Sequence, residues 1–249
     1  LPSQHPDQGV AITTRPFAVF DIDGTIFRSG LYREVVYELL SRNQISGDIM
    51  KDFAHLEINW KKRRSDTAFK EYEKAMADAV DRVLPQIRIA DFEHAAKQVF
   101  ERLGDYVYAY TRNLVADLKS QGYFLIAISG SQDELVAPFA EKYGFDTWIG
   151  QHYTRGDEFY TGEVIKSHDG KDIILQKIVA EHGLNFDGSI AVGDSRGDIG
   201  MLSIVENPIA FNPEKELFET AKDKGWKIVV ERKNMIYELN PHEQSYILA

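Results

Sequence analysis

The 249-residue chain contains no cysteine. Disulfides and thiolate metal sites are thereby excluded, while the compartment stays open. No run of about 18 apolar residues occurs, so no transmembrane helix is expected. Cations are scarce: 29 Lys and Arg stand against 39 Asp and Glu, a formal net charge of -10. No basic face suited to nucleic acid is visible, and anionic lipid would repel so acidic a chain. For the same reason an anionic substrate needs a local cation. The seven histidines show no ligand-like spacing, and internal repeats and low-complexity segments are lacking. Residues 1–15 hold Pro2, Pro6 and Gly9 and do not have the charged-then-apolar form of a signal peptide. They read as a flexible tail. The chain begins with Leu rather than Met, as a trimmed product would, and a cytoplasmic location is expected.

What is present is ordinary globular composition, 43% apolar and 27% charged, enough for a sizeable core. Phe17-Ala18-Val19-Phe20 is a short buried strand that stops abruptly at Asp21-Ile22-Asp23-Gly24-Thr25. From Leu31 to Gln121 the period is helical, with stripes such as Phe69, Tyr72, Met76 and Val80. After Gly122 strands and helices alternate: Tyr123 to Ile128, Phe145 to Ile149, Ser189 to Val192, Ile209 to Phe211 and Lys227 to Val230 read as strands. A hairpin is expected around Gly156-Asp157. Such alternation predicts an α/β fold with a doubly wound parallel sheet. Its core spans residues 16–30 and 122–249, and a helical cap over 31–121 is inserted after the first strand. Ligands of open α/β sheets bind beyond the carboxyl ends of the strands, so an insertion leaving there covers the site.

Three polar clusters fall at strand ends: Asp21 with Asp23, Ser129-Gly130-Ser131, and the stretch from Gly193 to Asp198 that includes Asp194. Lys171 stands where a helix begins. Asp21, Asp23 and Asp194 would repel one another unless a cation joined them, and an all-oxygen ligand set suits Mg²⁺. Ser129 offers a hydroxyl, Gly130 close backbone approach, and Lys171 a compact positive charge for a phosphoryl oxygen. An Asp carboxylate can attack phosphorus and form an aspartyl-phosphate.

This set resembles the haloacid dehalogenase superfamily. Asp21-Ile22-Asp23-Gly24-Thr25 looks like its first signature, Ser129 its second, Lys171 its third, and Gly193-Asp194 with Asp198 its fourth. The insertion between the first two is similar to the cap of the phosphoserine-phosphatase-like branch, subfamily IB. The resemblance implies a Rossmann-like core and a magnesium-dependent phosphatase. It makes Asp21 the nucleophile and a metal ligand, and Asp23 the general acid and base, its backbone carbonyl also on the metal. Ser129 and the Gly130 amide would hold the phosphoryl group, and Lys171 would neutralise it. Asp194 would bind the metal, Asp198 would orient the metal or its waters, and Thr25 would support the turn.

Two departures separate the chain from phosphoserine phosphatases. The stretch Ile26-Phe27-Arg28-Ser29-Gly30 lacks the cap Glu that follows their first signature, and Ser195-Arg196-Gly197 stands where they have Gly-Ala-Asn. The expected partner is therefore a different small-molecule phosphate ester, with a second anionic group held by Lys61 and Arg64 beside Trp60. The bland reading of that basic run is a solvated helix face. A phosphotransferase would use the same aspartyl-phosphate. A receiver-like signalling module also has a strand-end Asp, a Ser or Thr and a Lys, but Asp23 and the large insertion favour an enzyme.

Overall fold

The structure is a computed structural model that describes residues 15–165, 170–242 and 245–248. The tail expected over residues 1–15 lies outside these but for Arg15. Among the described residues nine strands form one sheet. They are β1 (Phe17–Phe20), β2 (Phe124–Gln132), β3 (Thr147–Arg155), β4 (Tyr160–Ile165), β5 (Ile190–Gly193), β6 (Asn207–Phe211), β7 (Lys227–Arg232), β8 (Met235–His242) and β9 (Ser245–Leu248). Their order is β4-β3-β2-β1-β5-β6-β7-β8-β9. β1 pairs in parallel with β2 and β5, and parallel pairing extends to β3 on one side and to β6 and β7 on the other. β4, β8 and β9 pair antiparallel at the two edges. β3 and β4 form the hairpin expected around Gly156.

The helices are α1 (Leu31–Ser41), α2 (Met50–Lys61), α3 (Ala68–Val83), α4 (Ile89–Leu103), α5 (Ala109–Ser120), α6 (Asp133–Tyr143), α7 (Lys171–Glu181), α8 (Ile199–Ser203) and α9 (Lys215–Lys224). Strand residues alternate between faces. Phe17 and Val19 meet Leu175 of α7, Met201 of α8 and Leu217 of α9. Ala18 and Phe20 belong to the opposite layer, with Val115 of α5 and Phe139 of α6. Helices therefore cover both faces, and the doubly wound α/β fold expected from the sequence is the fold found.

Between β1 and β2 the stripes of α1, α3 and α4 turn inward: Val35 and Leu39, Tyr72 and Met76, Phe92 and Val99. They belong to the same buried cluster as Phe20 and Ala127, so the insertion and that face of the sheet share one core. α5 packs on β2 and α6. We therefore draw the end of the insertion at about Gly104 rather than residue 121. Glu231 of β7 fixes the start of α5, accepting from Ala109 N at 3.1 Å and Tyr110 N at 2.9 Å. Thr111 of that helix donates to the Thr25 carbonyl at 2.9 Å, which couples α5 to the loop after β1.

A carboxylate that satisfies two free N–H groups at a helix start contributes about 0.5–2 kcal/mol. Glu231→Ala should lower the melting temperature by about 2–4 °C, the shift that ~1 kcal/mol gives at this chain length. Glu231→Gln, which keeps the acceptor, should lose less. Thermal unfolding followed by circular dichroism checks both.

Candidate active site

The site is assembled where β1, β2 and β5 end. Asp21 extends the ladder, its N–H donating to Val192 O at 2.9 Å. The chain then folds over itself: Ile22 O accepts from the amides of Thr25, Ile26 and Phe27 at 3.2, 2.9 and 2.8 Å. Gly24 makes this turn possible. Its φ is +80°, a conformation that side chains rarely adopt, and a Cβ there would stand 2.1 Å from Asp194 Oδ2. The glycine thus lets β1 and β5 bring their carboxylates together. Thr25 Oγ1 reaches Asp194 Oδ1 at 3.5 Å, which links the turn to the loop after β5.

Lys171, first residue of α7, is buried and donates to Asp21 Oδ1 and Asp198 Oδ1, both at 2.7 Å. Burial pulls its ammonium down, but Asp198 and Asp21 together outweigh that and hold it above its ordinary value. Lys171 is therefore charged. Lys166 and Lys177, near Lys171 in sequence, are the other lysines that could fill this role; Lys177 pairs with Glu181 on the surface, and Lys166 lies outside the described residues. Asp198 is fully buried, and its Oδ2 accepts from Asp194 N, Ser195 N and Ser195 Oγ at 3.1, 2.9 and 3.0 Å. Both of its oxygens are engaged, so it braces the loop after β5 and the lysine.

Asp23 accepts from Leu31 N at 2.6 Å, from Ser129 Oγ at 3.0 Å and from Ser131 Oγ at 2.6 Å. Burial nevertheless raises its pKa, more than these donors lower it. Gly130 stands between the two serines in β2. Asp21 is pushed up to about 7, by burial first; Lys171 opposes the rise, while Asp198 and Asp23 add to it. Burial, then Asp21 and Asp198, raise Asp194 well above the carboxylate range. Asp21 Oδ2 is buried and has no hydrogen-bond partner. One oxygen each of Asp21, Asp194 and Asp198 lies within 4.8 Å of the others. A buried orphan oxygen beside two more carboxylates calls for a cation, and the donor set is all oxygen.

The structure brings Asp21, Asp23, Thr25, Ser129, Lys171, Asp194 and Asp198 together at the strand ends. Lys61 and Arg64 do not share the helical face assigned to them. α2 stops at Lys61, Arg63 takes a φ of 49°, and Arg64 lies beyond the helix. Both side chains are occupied within the cap, Lys61 with Glu57 Oε1 at 2.6 Å and exposed Arg64 with Asn59 Oδ1 at 3.1 Å. Trp60 turns away from them, stacking on Tyr72 at 5.3 Å and 9°. Two residues were given no role from sequence. Ser131 follows Ser129 by the strand period of two, a signal that β2 carries to Gln132. The carboxyl of Glu73 on α3 is raised to about 7, by burial first, with Asp23 adding to it. Nothing in the pattern of a polar helix face marks it.

A family model described as haloacid dehalogenase-like hydrolase matches residues 18–203, three quarters of the chain, including each of these strand-end residues. The chain belongs to that family. Among its relatives, the histidinol-phosphatase of Neisseria meningitidis serogroup C is 25% identical over 228 residues, 85% of this chain and 97% of that protein. The phosphoserine phosphatase of Methanocaldococcus jannaschii is 26% identical over 206 residues, covering 82% and 88%. A solved phosphoserine phosphatase with a phospho-aspartyl intermediate analogue aligns at a TM-score of 0.61 and 23% identity, covering 88% of this chain and 95% of that one. That likeness is one of fold, and it includes the helical insertion. No helix among the described residues of this haloacid dehalogenase-like hydrolase is long and apolar enough to cross a membrane.

An acid whose folded pKa exceeds its unfolded one binds more protons in the native state. Its contribution to stability therefore falls as pH rises from about 4, the unfolded value, to about 7 for Asp21. Asp21→Asn removes the charge and keeps an acceptor for Lys171. In chelator at pH 8 it should raise the melting temperature by at least about 2–4 °C, with a smaller gain at pH 5. An equal gain at both values would mean that Asp21 carries no such shift.

Proposed function

We propose that this chain is a magnesium-dependent phosphomonoester hydrolase that acts through an aspartyl-phosphate at Asp21 on a small phosphorylated metabolite. The observation that carries the reading is the free Oδ2 of Asp21, buried without a partner while Lys171 holds Oδ1. The phosphatase names of the two relatives support it.

Asp21 and Asp194, with the Asp23 backbone carbonyl, would hold Mg²⁺. Bound there, the ion supplies positive charge that reconciles the carboxylates with one another and with a phosphoryl group. Asp21 attacks phosphorus, forming the acyl phosphate as the ester P–O bond breaks. Asp23 gives its proton to the departing alkoxide. The raised pKa of Asp23 suits this role, and its two serine donors keep the carboxyl aimed. Asp23 then takes a proton from water, the water oxygen bonds to phosphorus, and the bond to Asp21 breaks to release inorganic phosphate. Ser129 and the Gly130 amide hold phosphoryl oxygens. Lys171 lies at the nucleophile and adds positive charge as negative charge spreads over the equatorial oxygens. Asp198 acts through Lys171 and the loop after β5, and Thr25 keeps Asp194 in place.

Free phosphate should be released from nitrophenyl phosphate in buffer that contains no acceptor but water, which separates hydrolysis from transfer. Excess chelator and Asp21→Asn should each abolish it; full turnover in either case would sink the mechanism.

Asp23→Asn should slow phosphorylation of the enzyme by about 10²–10⁴-fold with an alkyl phosphate. The loss with nitrophenyl phosphate, whose leaving group needs little protonation, should be far smaller. Single-turnover rates compare the two. Equal losses would assign Asp23 to positioning alone.

A further inference from the structure

The hydrolase reading gives Ser129 to the phosphoryl group, yet its hydroxyl is already engaged with Asp23. Ser129 Oγ accepts from Ser131 N at 2.9 Å and donates to Asp23 Oδ2 at 3.0 Å. A serine hydroxyl carries one proton. When that proton turns to a phosphoryl oxygen, Asp23 loses the bond. Another donor must then hold the acid in line with the departing alkoxide.

Ser131 meets that need. It lies two residues further along β2, and its hydroxyl returns to the same carboxylate oxygen. Its Oγ accepts from Tyr32 N at 3.3 Å and donates to Asp23 Oδ2 at 2.6 Å. The shorter distance is typical of a hydroxyl donating to an ionised carboxylate. Because Tyr32 N supplies a proton to the Ser131 oxygen, the hydroxyl's own proton is left to point at Asp23. Ser129 and Ser131 are both buried, so bulk water does not compete for either. The pairing of β2 with β3 shifts register between Ile128 and Gln132, the stretch that holds both serines, and such irregularities re-aim side chains.

The third anchor of the acid comes from the cap. Leu31 N donates to Asp23 Oδ1 at 2.6 Å. Leu31 and Tyr32 open α1, and the first N–H groups of a helix have no partner within it. α1 directs two of them into this network, Leu31 N onto Asp23 itself and Tyr32 N onto Ser131. The carboxyl is therefore gripped from β2 on one oxygen and from the cap on the other.

We infer that Ser131 is a positioning residue that keeps Asp23 aimed after Ser129 turns to the phosphoryl group, so that one serine serves the ester and the other the acid. This rests on the hydrolase reading. In the first chemical step the ester P–O bond breaks and the proton of Asp23 passes to the departing alkoxide oxygen. As Ser129 leaves, Oδ2 keeps the Ser131 hydroxyl and Oδ1 keeps Leu31 N, and the carboxyl does not swing.

Propyl phosphate and nitrophenyl phosphate test it, because the first depends far more on protonation of its leaving group. Single-turnover phosphorylation rates and KM are compared for the wild type, Ser131→Ala, Ser129→Ala, and Asp23→Asn with and without Ser131→Ala. Ser131→Ala should lower the propyl-over-nitrophenyl rate ratio by about 10- to 100-fold, the range of a hydrogen bond to a charged group. Ser129→Ala should impair both esters alike, chiefly through KM, and keep that ratio within about twofold of the wild type, because Ser131 still holds Asp23. In the Asp23→Asn background Ser131→Ala should no longer distinguish the two esters, since its effect runs through the missing acid. Equal losses with both esters in Ser131→Ala, as a merely structural role would give, overturn the inference and leave the hydrolase reading standing. So does a ratio that Ser129→Ala lowers as much, or a selective loss that persists in the Asp23→Asn background. A wild type that releases phosphate from neither ester overturns both.

Discussion

The repulsion among Asp21, Asp194 and Asp198, held in check by the buried ammonium of Lys171, is the constraint around which this molecule is arranged. Two contacts of 2.7 Å tie the first turn of α7 to the ends of β1 and of the loop after β5. One cation cannot balance three carboxylates in a dry site, so the rest of the imbalance appears as raised proton affinity at Asp21 and Asp194. The proposed metal ion would take the place of those protons. The fold tolerates it because the surrounding strands are fully buried and stiff: Phe17 through Phe20 and Leu125 through Ile128 have no exposed surface. Backbone support is equally close, with Gly24 and Gly193 leaving room that any side chain would fill.

Much of this was legible in the sequence because parallel strands announce themselves as short apolar runs, and because carboxylates at their ends have few other reasons to be there. Asp21, Asp23, Ser129, Lys171 and Asp194 were all readable on those terms. The ribbon of β8 and β9 was not. Over 235–242 and 245–248 its side chains are exposed or half-buried, so no apolar alternation marks it. It is held by pairing to β7 and by Tyr246 Oη, which donates to Ala221 O at 2.9 Å and to Trp226 O at 2.7 Å. The cap boundary is hard to read from sequence for a related reason. The stripe of α5 is as helical as those of α1 to α4, and periodicity does not say which layer a helix joins.

The cap side chains were the least legible. Lys61 and Arg64 drew attention because they cluster in sequence, but clustering on a helix end close to Glu57 and Asn59 serves local pairing. Glu73 drew none, because a single acid on a polar helical face looks like solvent-facing surface.

The apolar cluster that runs without a break from Phe20 and Ala127 into Tyr72, Phe92 and Val99 has a consequence for cooperativity. A cap with its own core could melt or swing away while the sheet stayed folded. Here separating the two layers would expose apolar surface at about 25 cal/mol for each Å². The insertion and the sheet are therefore coupled in stability through that shared core. Damage to α3 or α4 is felt at the strand ends as surely as damage to β1.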